Sequence, residues 1–269
     1  MVVMFRALFL VAICLLPQFI FAADPLLEQR MQRIEAHSAD YGNGGLSVLK
    51  SAYEALSQGQ YELVSLEDLW ATALKEGKTL FSGKKLWSAT LPAQTGDMLG
   101  QTTIGPWQIT IANAREFGAA HGVVKTWSDG QVLSFLELKP VIQAQIGADF
   151  MEASYRKYGR RAPSAIQSYF WLDAFVQKKI GQGPWYASVL AKAPGQMAQT
   201  GFYAKQLLLG SRFNPEGLLY WLYRAGDETA VRETLALWNQ KGYPITTEDL
   251  EHCSCDPAFR DWLSDEIRN

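Results

Sequence analysis

Residues 65–77 read SLEDLWATALKEG, and residues 104–110 read IGPWQIT. The first stretch opens on Ser65, a good helix N-cap, with the acid Asp68 three residues later. Leu66, Leu69, Trp70, Ala73 and Leu74 then recur at helical spacing and give one apolar face. Glu76-Gly77 ends the helix, because glycine is a natural C-terminal stop. Between the two stretches the texture changes. Lys85 to Leu91 and Met98 to Thr103 suit short strands around a turn at Gln94-Thr95-Gly96-Asp97. After the second stretch helix returns, from about Thr110 to Gly118. The order is therefore helix, Glu-Gly, a short β region, a Gly-x-x-Gln turn, and helix again.

Outward from this centre the chain reads as helix on both sides. Pro25 to Leu56 is helix-rich, with a break at Tyr41-Gly42-Asn43-Gly44-Gly45. Val132 to Tyr158, divided at Pro140, and Ala162 to Lys179 follow the centre. Gly201 to Leu209, Asn214 to Arg224, Thr229 to Lys241 and Asp256 to Ile267 complete the set. Gly, Pro and Asn punctuate the joins, as at Gly159, Pro194-Gly195 and Gly242-Tyr243-Pro244. No internal repeat stands out. The expected fold is one mainly α domain over residues 24–269 with a small β insert near residues 80–105.

Composition narrows the function. Against 27 Asp and Glu stand 25 Lys and Arg, for a net charge of −2. No run of one sign occurs, so the basic stripe of a nucleic-acid binder is missing. The three histidines, His37, His121 and His252, are far apart in sequence, which argues against a histidine-built zinc site. No Gly-rich phosphate loop appears, and no cofactor or metal is expected. Residues 1–23 carry one positive charge at Arg6, an apolar run to about Phe21, and the small pair Ala22-Ala23. That is the order of a secretory signal peptide, and it predicts a periplasmic or secreted protein with no membrane span after cleavage. The rival reading is an uncleaved anchor, but the run is short for a span and Pro17 interrupts it. Cys253 and Cys255 lie too close for an easy mutual disulfide. They read as two thiols in a C-terminal turn or, with His252, as faint metal ligands.

The central order resembles the lysozyme-like superfamily, and within it the lytic transglycosylases and phage endolysins. In those enzymes a catalytic glutamate ends a helix in a Glu-Ser-Gly or Ser-Glu-Gly setting, and Lys75-Glu76-Gly77 stands there in this chain. A β hairpin follows, then a Gly-x-x-Gln turn, here Gly105-Pro106-Trp107-Gln108. Residues 140–150 are similar to a family helix of the form Pro…Asn-Ile…Gly…Tyr-Leu, with Gln145 before Ile146 as the nearest substitute for the Asn. Tyr223-Arg224-Ala225-Gly226 looks like the family's Tyr-Asn-Ala-Gly motif with Arg for Asn, and Tyr169 competes for the same role. The resemblance spans about residues 60–240. It implies a lysozyme-like fold, a peptidoglycan substrate, and Glu76 as general acid and base. Lytic transglycosylases use one glutamate, and the sugar's own 6-hydroxyl attacks to give a 1,6-anhydro product. The candidate substrate-binding residues are Gln108, Trp107, Gly105, Tyr223, Tyr169 and Asp97. A non-catalytic glycan-binding or wall-scaffolding module of the same fold is the other reading.

The physical case for Glu76 stands beside the resemblance. Glycoside cleavage needs a carboxylic acid that is still protonated near neutral pH. An exposed glutamate titrates near 4.3, so desolvation must raise it. The negative end of a helix dipole adds slightly to that. Trp70, Leu74, Trp87 and Trp107 are the candidates for an apolar wall. Glu67 is the rival acid, but first-turn acids are common for capping alone. Asp97 reads as a charge stabiliser or as a plain turn residue. Gln108 reads as a substrate contact, a brace for the glutamate loop, or a helix-opening polar residue. Trp107, Tyr169, Trp221 and Tyr223 could stack on sugars or simply fill the core. Arg224 could meet a peptide-stem carboxylate or sit in solvent.

Overall fold

The computed structural model describes residues 24–38, 41–89, 102–170, 205–210, 216–251 and 255–268. The signal-peptide reading of residues 1–23 and the expected turn at residues 94–97 lie outside them. The architecture is mainly α with one small antiparallel sheet. Before the centre come α1 (Pro25–Glu35) and α2 (Gly42–Gln58). The centre holds α3 (Leu66–Gly77), β1 (Thr103–Ile104), β2 (Ile109–Thr110) and α4 (Ile111–Phe117). Next come α5 (Asp129–Glu137), α6 (Pro140–Tyr158) and α7 (Pro163–Phe170). After a helical stretch at residues 205–209 come α8 (Leu218–Arg224), α9 (Glu228–Gln240), α10 (Thr247–Glu251) and α11 (Pro257–Arg268). Among the described residues no helix is long and apolar enough to cross a membrane.

α3 is the axis of the core. It packs on α2, α6 and α8. The sequence predicted one apolar face, but even Glu67, Asp68 and Thr72 are buried. A helix enclosed on every side must satisfy its polar groups internally. Asp68 does so from the capping box, where its carboxylate accepts from the Ser65 backbone N–H and hydroxyl. The same carboxylate takes a two-pronged pair from Arg161, at 2.9 and 3.0 Å. The Tyr155 hydroxyl adds a third donor at 2.8 Å. Arg161 stands between α6 and α7, and its carbonyl accepts from the Trp238 indole of α9 at 2.8 Å. One buried pair thus joins the head of α3 to α6 and α9. Beside it Arg30 of α1 bridges Glu67 and Asp227, the residue that caps α9.

Three local expectations change. The Gly42–Gly45 run is not a break but the first turn of α2. It holds glycines because a Cβ on Gly44 would stand 1.9 Å from the Phe81 carbonyl oxygen. The β insert differs too. Among the described residues of the insert, 84–87 form turns and Ala89 bridges to Ile104, while residues 90–101 lie outside them. The hairpin turns at Gly105–Gln108, with Thr103 paired to Thr110 and Ile104 to Ile109. Finally, Cys255 is buried and disulfide-bonded, its partner lying outside the described residues, so the thiol reading fails at this position.

The Asp68–Arg161 pair makes a sharp prediction. Burial pushes the Asp68 carboxyl up, but the Arg161 charge and hydrogen bonds, with Arg160 and the Ser65 N–H, outweigh it and hold it below the usual carboxylate range. Its stabilisation is therefore present above about pH 4 and is lost as pH falls through the lower folded value. Arg161→Met leaves a buried charge without its partner and should cost about 3–5 kcal/mol at pH 7. Urea melts across pH should show the gap from wild type narrowing on acidification. A gap of equal size at all pH values would remove Asp68 from the account.

Candidate active site around Glu76

Glu76 stands on the last turn of α3 and is partly exposed. The next residue fixes its surroundings. A Cβ on Gly77 would stand 2.4 Å from the Pro106 carbonyl oxygen and 2.5 Å from its Cα. The end of α3 and the Gly105–Gln108 turn therefore touch backbone to backbone. Two stretches separated in sequence by the insert are one surface here.

Trp107 extends the contact along α3. Its indole N–H donates to the Leu69 carbonyl at 3.0 Å. Leu69 lies seven residues before Glu76 and so on the same helix face. Trp87 stacks on Trp107, with ring centroids 6.3 Å apart. Trp107, with Trp87 stacked on it, therefore packs on the side of α3 that carries Leu69. Trp70, also a candidate for the apolar wall, faces elsewhere and packs with Tyr41, Phe81 and Trp221. Burial pushes the Glu76 carboxyl above the ordinary glutamate value, and the adjacent Lys75 opposes this with a smaller effect.

The turn is tightly specified. Gly105 has φ +67° and Gln108 has φ +49°, both in the left-handed region. Gln108 bears that conformation by bonding its own hairpin. Its amide Nε2 donates to the Gly105 carbonyl at 2.8 Å, and its Oε1 accepts from the Thr103 hydroxyl at 2.6 Å. It is a brace for the turn. Gly105 donates its N–H to the Ser88 carbonyl at 3.3 Å.

The other expected substrate residues separate. Trp107 is 1% exposed, which corrects its reading as a sugar platform: an enclosed ring has no face to offer. Trp221 is buried likewise. Tyr223 packs on Phe259 and Trp262 of α11, with centroids 5.3 and 4.7 Å away. The C-terminal helix, not the turn, is its neighbour. Arg224 bonds His37 at 2.7 Å. Tyr169 belongs to α7, but its side chain lies outside the described residues, as does Asp97. Glu67, the rival acid, is buried and paired with Arg30.

One residue was missed. Gln143 of α6, 0% exposed, donates its amide to the Trp87 carbonyl at 3.0 Å and to the Leu136 carbonyl at 2.8 Å. Its Oε1 stands 1.7 Å from where a Gly105 Cβ would be. Gln145, the residue picked from the sequence, instead reaches Gln58 at 3.5 Å. The signal was available. Gln143 stands four residues before Gly147 and seven before Phe150, on one helical face otherwise apolar or small. A buried amide on such a face needs partners.

Among the described residues no three His, Cys, Asp or Glu stand together as metal ligands. Another polar cluster, His121 on Asp149 at 2.7 Å with Tyr61 nearby, belongs to other elements. Among the described residues, what the arrangement offers is a carboxylic acid, raised in pKa, at the edge of a tightly specified turn.

Two stability measurements test this geometry. Because the folded value of Glu76 is raised, its contribution is full below the ordinary glutamate value and is lost as pH rises through the folded value. Glu76→Gln should therefore be more stable than wild type at pH 7, with the two converging near pH 3. Equal stability at pH 7 would mean that water reaches the carboxyl freely. Gly77→Ala should lose about 1–3 kcal/mol, as overpacking does, because its Cβ meets backbone that cannot rotate away. Denaturant curves at neutral pH read both. Compared with protein-family models, with curated proteins and with solved structures, the chain matches none.

Proposed function

We propose that this chain is an exported peptidoglycan-cleaving enzyme of lysozyme-like fold, and that it works as a lytic transglycosylase through Glu76. The observation that carries the reading is the backbone contact of Gly77 with Pro106, which joins the helix-ending glutamate to the Gly105–Gln108 turn. The order helix, glutamate, hairpin, turn and helix supports it as well. So does the upward shift of the Glu76 carboxyl, caused mainly by burial.

In this mechanism Glu76 begins protonated. It gives its proton to the glycosidic oxygen between N-acetylmuramic acid and N-acetylglucosamine as the bond to the anomeric carbon breaks. The resulting carboxylate then accepts the proton of the muramic acid 6-hydroxyl. That oxygen attacks the anomeric carbon and closes a 1,6-anhydro ring. Glu76 ends as it began, protonated, and no water is consumed. Burial at the end of α3, beside the turn that carries Trp107, favours the protonated acid. Gln108 and Gly105 keep the turn in shape beside it. Residues 1–23, read as a signal peptide, would take the chain to where its polymeric substrate lies.

The test is a digest of purified sacculi by the protein and by its Glu76→Gln variant, read by mass spectrometry. Products lacking one water, absent with the variant, are expected. Cleavage should fall as pH rises through the Glu76 value, and that limb should lie above the 4.3 of an exposed glutamate. Hydrated reducing ends would turn the reading toward a lysozyme-type hydrolase and make Asp97 the next residue to change. Silence from both proteins, beside an active control enzyme, would favour a glycan-binding or wall-scaffolding module.

A further inference from the structure

We infer that Gln143 is a positioning residue for Glu76, acting through Gly105 to hold the Gly105–Gln108 turn against the end of α3. The inference rests on the reading of Glu76 as the general acid and base. Gln143 itself touches neither the acid nor, in that reading, the sugar.

Three contacts carry it. The two amide protons of Gln143 are both used, on the Trp87 and Leu136 carbonyls. These bonds tie the Trp87 loop and the end of α5 to α6. They also fix the side chain's last torsion, because exchanging O for N would set the amide oxygen against two carbonyl oxygens. The Oε1 is thereby turned toward Gly105, where a Cβ would stand only 1.7 Å away. It has no hydrogen-bond partner among the described residues. A buried amide oxygen of this kind is costly unless something is gained by its position. Here it leaves room for a glycine alone, and the glycine's left-handed backbone sends the chain into Pro106. Pro106 in turn lies on Gly77, one residue from Glu76. The Trp87 backbone carbonyl that Gln143 holds belongs to the residue whose indole stacks on Trp107. One side chain therefore governs both the turn that touches the end of α3 and the loop whose Trp87 stacks on Trp107.

If this is right, disturbing Gln143 lets water reach the Glu76 carboxyl without touching it. The direct readout is the side-chain carboxyl titration of Glu76, followed by ¹³C resonances of labelled glutamate. The resonance lost in Glu76→Gln identifies it. In Gln143→Met, which keeps the volume but neither hydrogen bond, the Glu76 titration should move down toward that of an exposed glutamate. Gly105→Ala should move it the same way from the other side of the contact. Adding Gln143→Ala to Gly105→Ala clears the collision and should recover part of the shift. On sacculi, Gln143→Met should lower turnover roughly 10- to 100-fold, as a misplacement of about 1 Å does. The alkaline limb of its pH profile should move to lower pH.

The inference is overturned if Gln143→Met and Gly105→Ala both fold, by circular dichroism and a cooperative melt, and Glu76 titrates as in wild type. It is overturned equally if both variants fail to fold, because the contact would then hold the domain and not the acid. Where only one folds, the titration in that variant decides. The titration needs no substrate. A wild-type protein that cleaves nothing, with Glu76 still responding to Gln143, would count against the enzyme reading and leave the positioning link standing.

Discussion

Asp68 is a charged group that water cannot reach, and the fold is arranged around that fact. Desolvating an ion costs several kcal/mol even after relaxation, and attraction to a partner offsets this only with good geometry. Asp68 has such geometry: Arg161 from two nitrogens, the Tyr155 hydroxyl, and the Ser65 backbone and hydroxyl. The price is paid partly at Arg161, whose φ of +57° is strained for a residue with a side chain. Such a pair is a weak source of stability against a hydrophobic alternative, but a strong source of orientation. It permits one rotation and one height of α3 between α6 and α9. Glu76 lies eight residues further along the same helix, about 12 Å along its axis. A rigid helix carries that register to the candidate site.

At the far end the register is read by close packing. Hydrogen bonds hold the turn to itself and to Ser88, and Trp107 to Leu69. The approach of Pro106 to Gly77, however, depends on a missing side chain. Hydrogen bonds tolerate a few tenths of an ångström, whereas backbone against backbone does not. Gly77 thus does more than stop the helix. It sets the distance between the acid and the turn.

Much of this was legible in the sequence and some was not, for identifiable reasons. The capping of α3 by Ser65 and Asp68, its end at Gly77, and the division of α5 from α6 before Pro140 follow local rules, and the structure has them. The pairing of Glu76 with the turn was legible only as an order of elements. What failed were inferences about surroundings. An i, i+3, i+4 apolar pattern cannot tell a helix with one buried face from one enclosed on all sides, so Asp68 read as a cap and Glu67 as a capping acid. The glycines of 42–45 read as a break because helix propensity says nothing of the Phe81 carbonyl that lies across them. Trp107 read as a sugar platform because an indole in a turn and an indole beneath one look alike in a string of letters. Gln143 was passed over for Gln145 by adjacency to an isoleucine, when the choice depended on which side of α6 faces the turn.

The acidity of Glu76 is best understood as a product of this packing. A carboxyl on a last helical turn normally meets water, and the lysine before it favours the anion. Burial reverses the preference. Holding a carboxyl in such a place at neutral pH destabilises the folded chain, since either an anion is desolvated or a proton is taken up. The Asp68–Arg161 pair at the other end of α3 acts in the opposite sense at the same pH. The two ends of one helix are therefore complementary. Asp68 is buried with every partner it needs and is held below the usual carboxylate range, whereas burial pushes Glu76 above the ordinary glutamate value. Two carboxyls eight residues apart acquire opposite tendencies from their surroundings alone, and the site follows from that difference.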